Sequence, residues 1–387
     1  MSNSNLRKNV VNKLVQAVFI SCLVFLAGCQ SSQNVLDGIE NPSSASSATY
    51  GDGKTLVGVI LPANASGQAS STSQDYLNGA KLGVDLLGQG QFKLLIQRTD
   101  GTPKSSAIAA AQILQAGASI VMGPLDKANI AAAKSGLKTI PMIAFASNSI
   151  STSSGVYPFL NDSILGVNEA IRAIADSNKS SFLILQSNNV SSQSVKRVTA
   201  EMARRNIKTS GAYTYNGKLN LTYSSLKKHI KTISDADVVI ILGNSEDVKS
   251  VLDTFKIRKI RADRTNIIEV RDQSQILAAD SSYQGVIFAK LPAPSLSTIN
   301  SAFLTKFARS ASQESAYGFD VMAMIAGLQR TKKLDSNTDA GITGSVGFRA
   351  LTGYFRFHKG GRLERRHEIH QINNKAVVLI QELGEGF

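Results

Sequence analysis

The sequence predicts an α/β protein built as two doubly wound, Rossmann-like lobes with a cleft between them. Three observations carry that prediction. From Thr55 onward, short apolar runs of strand type alternate with segments of helical periodicity, the pattern of a parallel sheet. The layout strand, helix, strand, helix, strand, glycine turn, helix then occurs twice, as architecture without sequence identity. Finally, Ile120, Val121 and Met122 form an apolar strand that passes through Gly123-Pro124 to Asp126, a helix N-cap ahead of Asn129-Ile130-Ala131. A strand whose C-terminal end turns at once into a helix is where an open parallel sheet takes a ligand. Backbone N–H groups and the helix dipole point into the crevice there.

The elements follow in order. Thr55–Leu61 is a strand ended by Pro62, and the small, polar stretch from Ala63 to Ser73 reads as a loop. Tyr76-Leu77, Ala80, Leu82 to Val84 and Leu86-Leu87 recur at helical spacing. Phe92–Gln97 is the second strand. Thr102-Pro103 opens a helix with Ile108, Ala111, Ile113 and Leu114 on its apolar face. Ser119–Met122 and Pro141–Phe145 are the third and fourth strands. A second unit begins with a helix through Ile164, Val167, Ile171 and Ile174. Strands at Phe182–Leu185, Gly211–Tyr215, Asp237–Leu242 and Asn266–Val270 alternate with helices through Val195 to Met202, Leu226 to Ile233 and Val248 to Phe255. Gly285–Ala289 begins a return toward the first unit. Helices at Phe303–Phe307 and Phe319–Leu328 precede a β-rich tail, Gly353–Phe357 and Glu368–Leu383.

The N-terminus is of another kind. Arg7, Lys8 and Lys13 precede an apolar run from Leu14 to Leu26, the charged and hydrophobic regions of a secretory signal, too short for a spanning helix. Leu26-Ala27-Gly28-Cys29 resembles the lipobox of bacterial lipoprotein precursors. Small residues admit the peptidase, and the Cys29 thiol carries the lipid that ties the chain to a membrane. The resemblance implies a signal peptide over 1–28 and, with Gln30 after the cysteine, a place on the periplasmic face of the outer membrane. Cys22 leaves with the signal, so the remaining cysteine has no disulfide partner in the chain. Residues 29–53, rich in Ser, Asn and Ala, read as a lipidated flexible tether. The chain has a formal charge of +14; losing Arg7, Lys8 and Lys13 leaves +11. Such a surface attracts anionic lipid or cell-wall carboxylates. Nucleic acid fits the charge but not the secreted address.

Taken together, the body of the chain resembles the type I periplasmic binding proteins, in the branch of the Leu/Ile/Val-binding and branched-chain amide receptors. The residues that carry the resemblance are Val57 to Pro62, Asn78-Gly79-Ala80, Asp100-Gly101-Thr102-Pro103, Gly123-Pro124-Leu125, Ile140 to Ile143, Tyr317-Gly318-Phe319-Asp320 and the segment Gly344 to Phe357. It covers roughly residues 54 to 380 and lies in their order and spacing. It implies two lobes joined by three crossovers and closing on a small ligand, with residues 54–161 and 285–335 in the first lobe and 162–284 and 336–387 in the second.

The resemblance also implies a site, and there the chain departs from the receptors. The positions that hold a ligand carboxylate match Asp126-Lys127 and Ala146-Ser147-Asn148. Ser147 and Asn148 can donate hydrogen bonds, whereas an N-capping Asp126 occupies the donors an anion needs. The second lobe's positions match Val190-Ser191, Asn244-Ser245 and Arg271, none acidic, so a ligand ammonium lacks its partner. Thr72 stands where an aromatic is often placed, and the chain has no Trp. A polar, neutral or anionic ligand is expected in place of a free amino acid.

The chain is similar, too, to the C-terminal domain of penicillin-binding-protein activator lipoproteins, which implies a peptidoglycan synthase as partner; the receptor branch implies an ABC permease. Neither resemblance brings a cofactor. His358, His367 and His370 read as surface strand residues without a metal. The run Lys256 to Arg264 reads as a solvated loop and Gly360-Gly361 as a turn. No G-x-S-x-G elbow or P-loop is present. Without a paired nucleophile or a recognisable carboxylate pair, the chain is expected to bind and not to catalyse.

Overall fold

The computed structural model describes residues 46–148, 154–175, 179–260, 265–271, 278–336, 338–384 and 386–387. The signal segment, Cys29 and the tether as far as residue 45 lie outside the described residues, as do 261–264 of the basic run. Strands β1 (Ser46–Tyr50), β2 (Thr55–Leu61), β3 (Phe92–Arg98), β4 (Ile120–Met122), β5 (Met142–Ser147) and β6 (Val156–Leu160) form a six-stranded sheet in the order β1-β3-β2-β4-β5-β6. Only β1 is antiparallel. Helices α1 (Gln68–Leu87), α2 (Pro103–Gln115) and α3 (Lys127–Leu137) connect its strands. Val57, Val59 and Leu61 enter one core and Ile60, Val121 and Ala144 the opposite one. Burial on both faces is why these strands read as unbroken apolar runs.

The second lobe repeats the plan. α4 (Ser163–Ile174), β7 (Phe182–Ser187), α5 (Ser192–Arg204), β8 (Thr209–Tyr215), α6 (Leu219–Leu226), α7 (Ile230–Asp235), β9 (Val238–Leu242), α8 (Ser245–Ile257), β10 (Thr265–Ile268) and β11 (Val286–Lys290) follow in sequence. Its sheet is ordered β16-β15-β11-β10-β9-β7-β8, completed by β15 (Glu368–Asn373) and β16 (Ala376–Gln381), both antiparallel to their inner neighbours. Between these parts lie α9 (Ser297–Phe307), α10 (Gln313–Arg330), the short α11 (Lys333–Ser336) and α12 (Thr338–Ile342), and a small antiparallel sheet of β12 (Phe348–Ala350), β13 (Gly353–Phe357) and β14 (Leu363–Arg365). The chain therefore passes between lobes three times: after β6, after β11 and between β14 and β15.

Several expectations are corrected. Ser46–Tyr50 is a strand and not tether; it pairs with β3, and Tyr50 donates a 2.6 Å hydrogen bond to Asp85. The loop expected up to Ser73 ends earlier, because α1 starts at Gln68 and Ser71 and Ser73 turn their hydroxyls onto carbonyls of its first turn. β6 was not foreseen. The helix expected over Leu226 to Ile233 is two short helices, α6 and α7. β11 belongs to the second sheet, since it pairs with β10 and β15. Residues 348–365 belong with the first lobe, because Phe355, Phe357 and Leu363 are buried in its core. His367 is only 2 % exposed, so it is no surface strand residue.

The closest helix contact explains two of the sequence signatures. α1 and α10 cross at Gly79, Gly83 and Gly318. A Cβ at Gly79 would lie 1.9 Å from the Ser315 carbonyl oxygen, and one at Gly318 would lie 2.0 Å from that of Tyr76. Helix propensity alone would make Gly→Ala stabilising by about 1 kcal/mol. Here the clash is with backbone, which must separate the helices. Gly79→Ala and Gly318→Ala are each expected to lower the unfolding free energy by about 2 kcal/mol, as overpacking does, in urea titrations; a gain from either would show that the helices do not approach this closely.

Candidate functional site

The C-terminal ends of the first sheet's strands carry the turn singled out in the sequence. Gly123 has φ +88°, and a Cβ there would lie 2.0 Å from the Ile60 carbonyl oxygen, so only glycine passes beneath β2. Asp126 caps α3: its Oδ1 accepts from Ala128 N at 3.1 Å and Asn129 N at 3.0 Å, and Oδ2 accepts from the Asn129 amide. That amide also donates to Gly101 O at 2.9 Å, tying α3 to the turn after β3. Lys127 is exposed. At the end of β5, Ala146 is buried in the core and Ser147 is half-buried. The Asn148 amide spans to β14: Nδ2 donates to Leu363 O at 2.8 Å, and Leu363 N donates to Oδ1 at 3.0 Å.

In the second lobe, Ser191 caps α5 by accepting from Ser194 N, and Asn244 caps α8 by accepting from Asp247 N at 2.9 Å. Ser245 is exposed on the first turn of α8. Asn244, Asn188 and Asn216 line a cavity of about 670 Å³ at the ends of β7, β8 and β9. Arg271 meets a carboxylate the sequence reading passed over. Glu269, 1 % exposed, accepts from Arg271 Nε at 2.8 Å, from Gly243 N at 3.0 Å and from the Ser163 hydroxyl at 2.6 Å. It thereby joins the ends of β9 and β10 to the start of α4.

A second cavity, of about 220 Å³, is shared by the lobes. Asn148 and Arg362 line it from the first lobe, and Leu165, Asn168, Gln193, Lys196, Arg197, Ala200 and Arg204 from α4 and α5. Arg197 pairs with Asp162 at 2.8 Å, and Arg204 is paired with Glu201. Of the ten residues expected at a site, Asn148 lines this cavity and Asn244 the larger one. Thr72, half-buried within α1, lines neither, and the same holds for the other seven. Arg362 was missed because the Gly360-Gly361 turn beside it reads as bare punctuation. The cationic face of α5 was visible in the sequence, but which lobe it faces was not.

Beside this cavity two of the crossovers meet. Arg365, 1 % exposed, donates to Phe159 O at 2.9 Å and to the Thr352 hydroxyl at 3.2 Å, with its guanidinium 4.6 Å from the Phe159 ring centre and 5.2 Å from that of Phe355. Thr352 N and Leu351 N donate to Asp320 on α10. Burial raises the Asp320 carboxyl above its ordinary range, against those hydrogen bonds and the Arg365 charge, which pull it down. One residue beyond Arg366, the His367 ring lies 3.0 Å from Arg365 O through Nδ1 and 3.0 Å from the Asn161 side chain through Nε2. It links the first crossover to the third.

A periplasmic binding protein family model matches residues 55–376. The chain belongs to the periplasmic binding protein family. Among solved structures it is similar to a Rhodospirillum rubrum protein assigned to branched-chain amino acid ABC transport, at TM-score 0.64 and 15 % identity, over 84 % of this chain and 99 % of that one. Full-length LpoA of Haemophilus influenzae aligns at TM-score 0.63 and 12 % identity, over 86 % of this chain and 60 % of that one. A branched chain amino acid ABC transporter periplasmic ligand-binding protein of Burkholderia xenovorans aligns at TM-score 0.58 and 12 % identity, over 86 % and 96 %. These likenesses establish the shared fold. No curated protein matches at a significant level. No helix among the described residues is long and apolar enough to cross a membrane.

The crossovers give this periplasmic binding protein a defined acid response. Burial holds the His367 ring neutral, lowering its pKa to about 4 against the opposing pull of Glu169, the Arg365 carbonyl and Asp162, with the Arg365 charge adding to the lowering. The unfolded chain takes up the proton near pH 6.5. Stability from this group is therefore complete above pH 6.5, falls as pH drops toward 4 and levels off below, a loss of about 3 kcal/mol. His367→Gln is expected to flatten the unfolding free energy between pH 6.5 and 4 in urea titrations. A variant with the wild-type slope would show that another group carries it.

Proposed function

We propose that this protein is a lipid-anchored binding protein of the outer membrane's periplasmic face, which takes a small polar or anionic ligand between its lobes and regulates peptidoglycan synthesis. The observation that carries the reading is the use of the amino-acid positions for structure. Asp126 holds the N–H donors of α3, the Asn148 amide is bonded at both ends to β14, and Arg271 lies on Glu269. A zwitterion finds neither free helix donors for its carboxylate nor an uncommitted acid for its ammonium. The lipobox at Cys29 supports the anchor, and the resemblance to penicillin-binding-protein activators supports the partner. Crosslinking of the anchored full chain in cell envelopes is expected to retain a peptidoglycan synthase, and calorimetry with free leucine is expected to give no heat of binding. Tight leucine binding contradicts the reading.

A second reading, the substrate-binding receptor of an ABC transporter for a small amino acid, amide or peptide, is favoured by the cavity that both lobes line. An ABC permease in place of the synthase in the same crosslinking experiment would establish it.

A further inference from the structure

We propose that the cavity between the lobes contains an oxyanion seat centred on Arg362, which takes the carboxylate or phosphate group of a small ligand. The inference deepens the reading above, because it rests on the cleft being in use. Arg362 follows the Gly360-Gly361 turn and precedes β14. Its guanidinium is half-buried, yet among the described residues it makes no side-chain hydrogen bond and no ion pair within 4 Å. A guanidinium stays charged when water is withdrawn, so its five donors require a partner or incur a desolvation cost.

No carboxylate reaches this guanidinium directly: Glu169, Glu201 and Glu364 line an adjoining void with Arg362, but none forms an ion pair with it among the described residues, and Glu169 is bound to Arg172 and Arg366. The cavity lining holds Lys196, Arg197, Arg204 and Arg362 and no carboxylate. The two carboxylates nearest in charge, Glu201 and Glu364, are committed elsewhere. Glu201 binds Arg204 and Arg205, and Glu364 binds Arg356 and His358. The Arg204 charge adds to burial in lowering the Arg362 pKa, more than these two carboxylates restore. Arg197 and Arg204 spend their charge on Asp162 and Glu201, which leaves Arg362 and Lys196 for a ligand.

A second orphan specifies the ligand further. The Asn168 side-chain oxygen is buried without a hydrogen-bond partner, on a residue that lines both this cavity and the adjoining void. A buried acceptor of this kind fits a ligand that offers a hydroxyl or N–H beside its anionic group. Arg362 comes from the first lobe and Asn168 and Lys196 from the second, so an anion held by all three bridges the lobes and favours their approach. The volume of about 220 Å³ restricts that ligand to a small acid or the acidic end of a larger molecule.

The test uses the full chain with two anionic probes, inorganic phosphate and lactate, and one neutral probe, N-acetylglucosamine, each in calorimetry and thermal melts at constant ionic strength. Phosphate or lactate is expected to bind the wild type and raise its melting temperature. The response to phosphate alone assigns a phosphate group, and to lactate alone a hydroxy acid. Arg362→Gln is expected to weaken that binding at least tenfold, Arg362→Lys to weaken it less, and Asn168→Ala to weaken lactate more than phosphate. Ligand-free melts of each variant serve as the folding control, and should Arg362→Gln fail to fold, Arg362→Lys carries the comparison. Equal anion binding by wild type and the folded Arg362 variant overturns the seat. Binding of N-acetylglucosamine but neither anion overturns the seat and leaves the cleft reading standing. Absence of binding by all three probes and by a panel of cell-wall fragments overturns both.

Discussion

One buried cation organises the end of the first lobe from which two of the crossovers depart. Arg365 lies at the end of β14, where the third crossover leaves the first lobe, and it is sealed among Phe159, Tyr317 and Phe355. Its hydrogen bonds reach β6, from which the first crossover departs, and Thr352, which in turn bonds to Asp320 of α10. Burying a guanidinium costs several kcal/mol, and only hydrogen bonds, ring faces and an opposite charge offset it. Those partners come from distant parts of the sequence, so the cost is offset, apart from an Nε without a partner, only when β6, β13, β14 and α10 are assembled. The His367 ring, seated between the Arg365 carbonyl and the Asn161 side chain, ties the departing strands at a further point.

That constraint places the functional surface. The crossovers set how α4 and α5 of the second lobe face the ends of β5 and β14 in the first. The shared cavity therefore collects a cationic helix face from one side and Arg362 from the other. Meanwhile Asp126, Asn148, Ser191 and Asn244, expected from the sequence at a ligand site, serve as caps and bridges. The helix N-terminus after β4 is closed by Asp126, and positive charge gathers on α5 and at Arg362.

Much of the fold was legible because parallel strands buried on both faces leave apolar runs such as Asp237 to Leu242, and because Asp126 and Asn244 are cap residues in plain view. What escaped was tertiary. β1 is mostly exposed at a sheet edge and carries no alternation, and β6 holds Pro158 at its centre. The lobe to which β11 and residues 348–365 belong depends on pairing partners distant in sequence. At the site, Asn148 and Arg271 were visible as polar residues, but the backbone of Leu363 and the carboxylate of Glu269 that engage them were not. His367 looked like a surface strand residue because nothing local records that the crossovers close over it.

The measurement that tests the central claim most directly is the unfolding free energy of Arg365→Met, which keeps the side chain's bulk and removes its charge and donors. If the crossovers are organised around this cation, the variant leaves Asp320 buried without its counter-charge and loses about 3 kcal/mol or more in urea titrations. A variant within about 0.5 kcal/mol of wild type, the range of ordinary surface substitutions, would contradict the account.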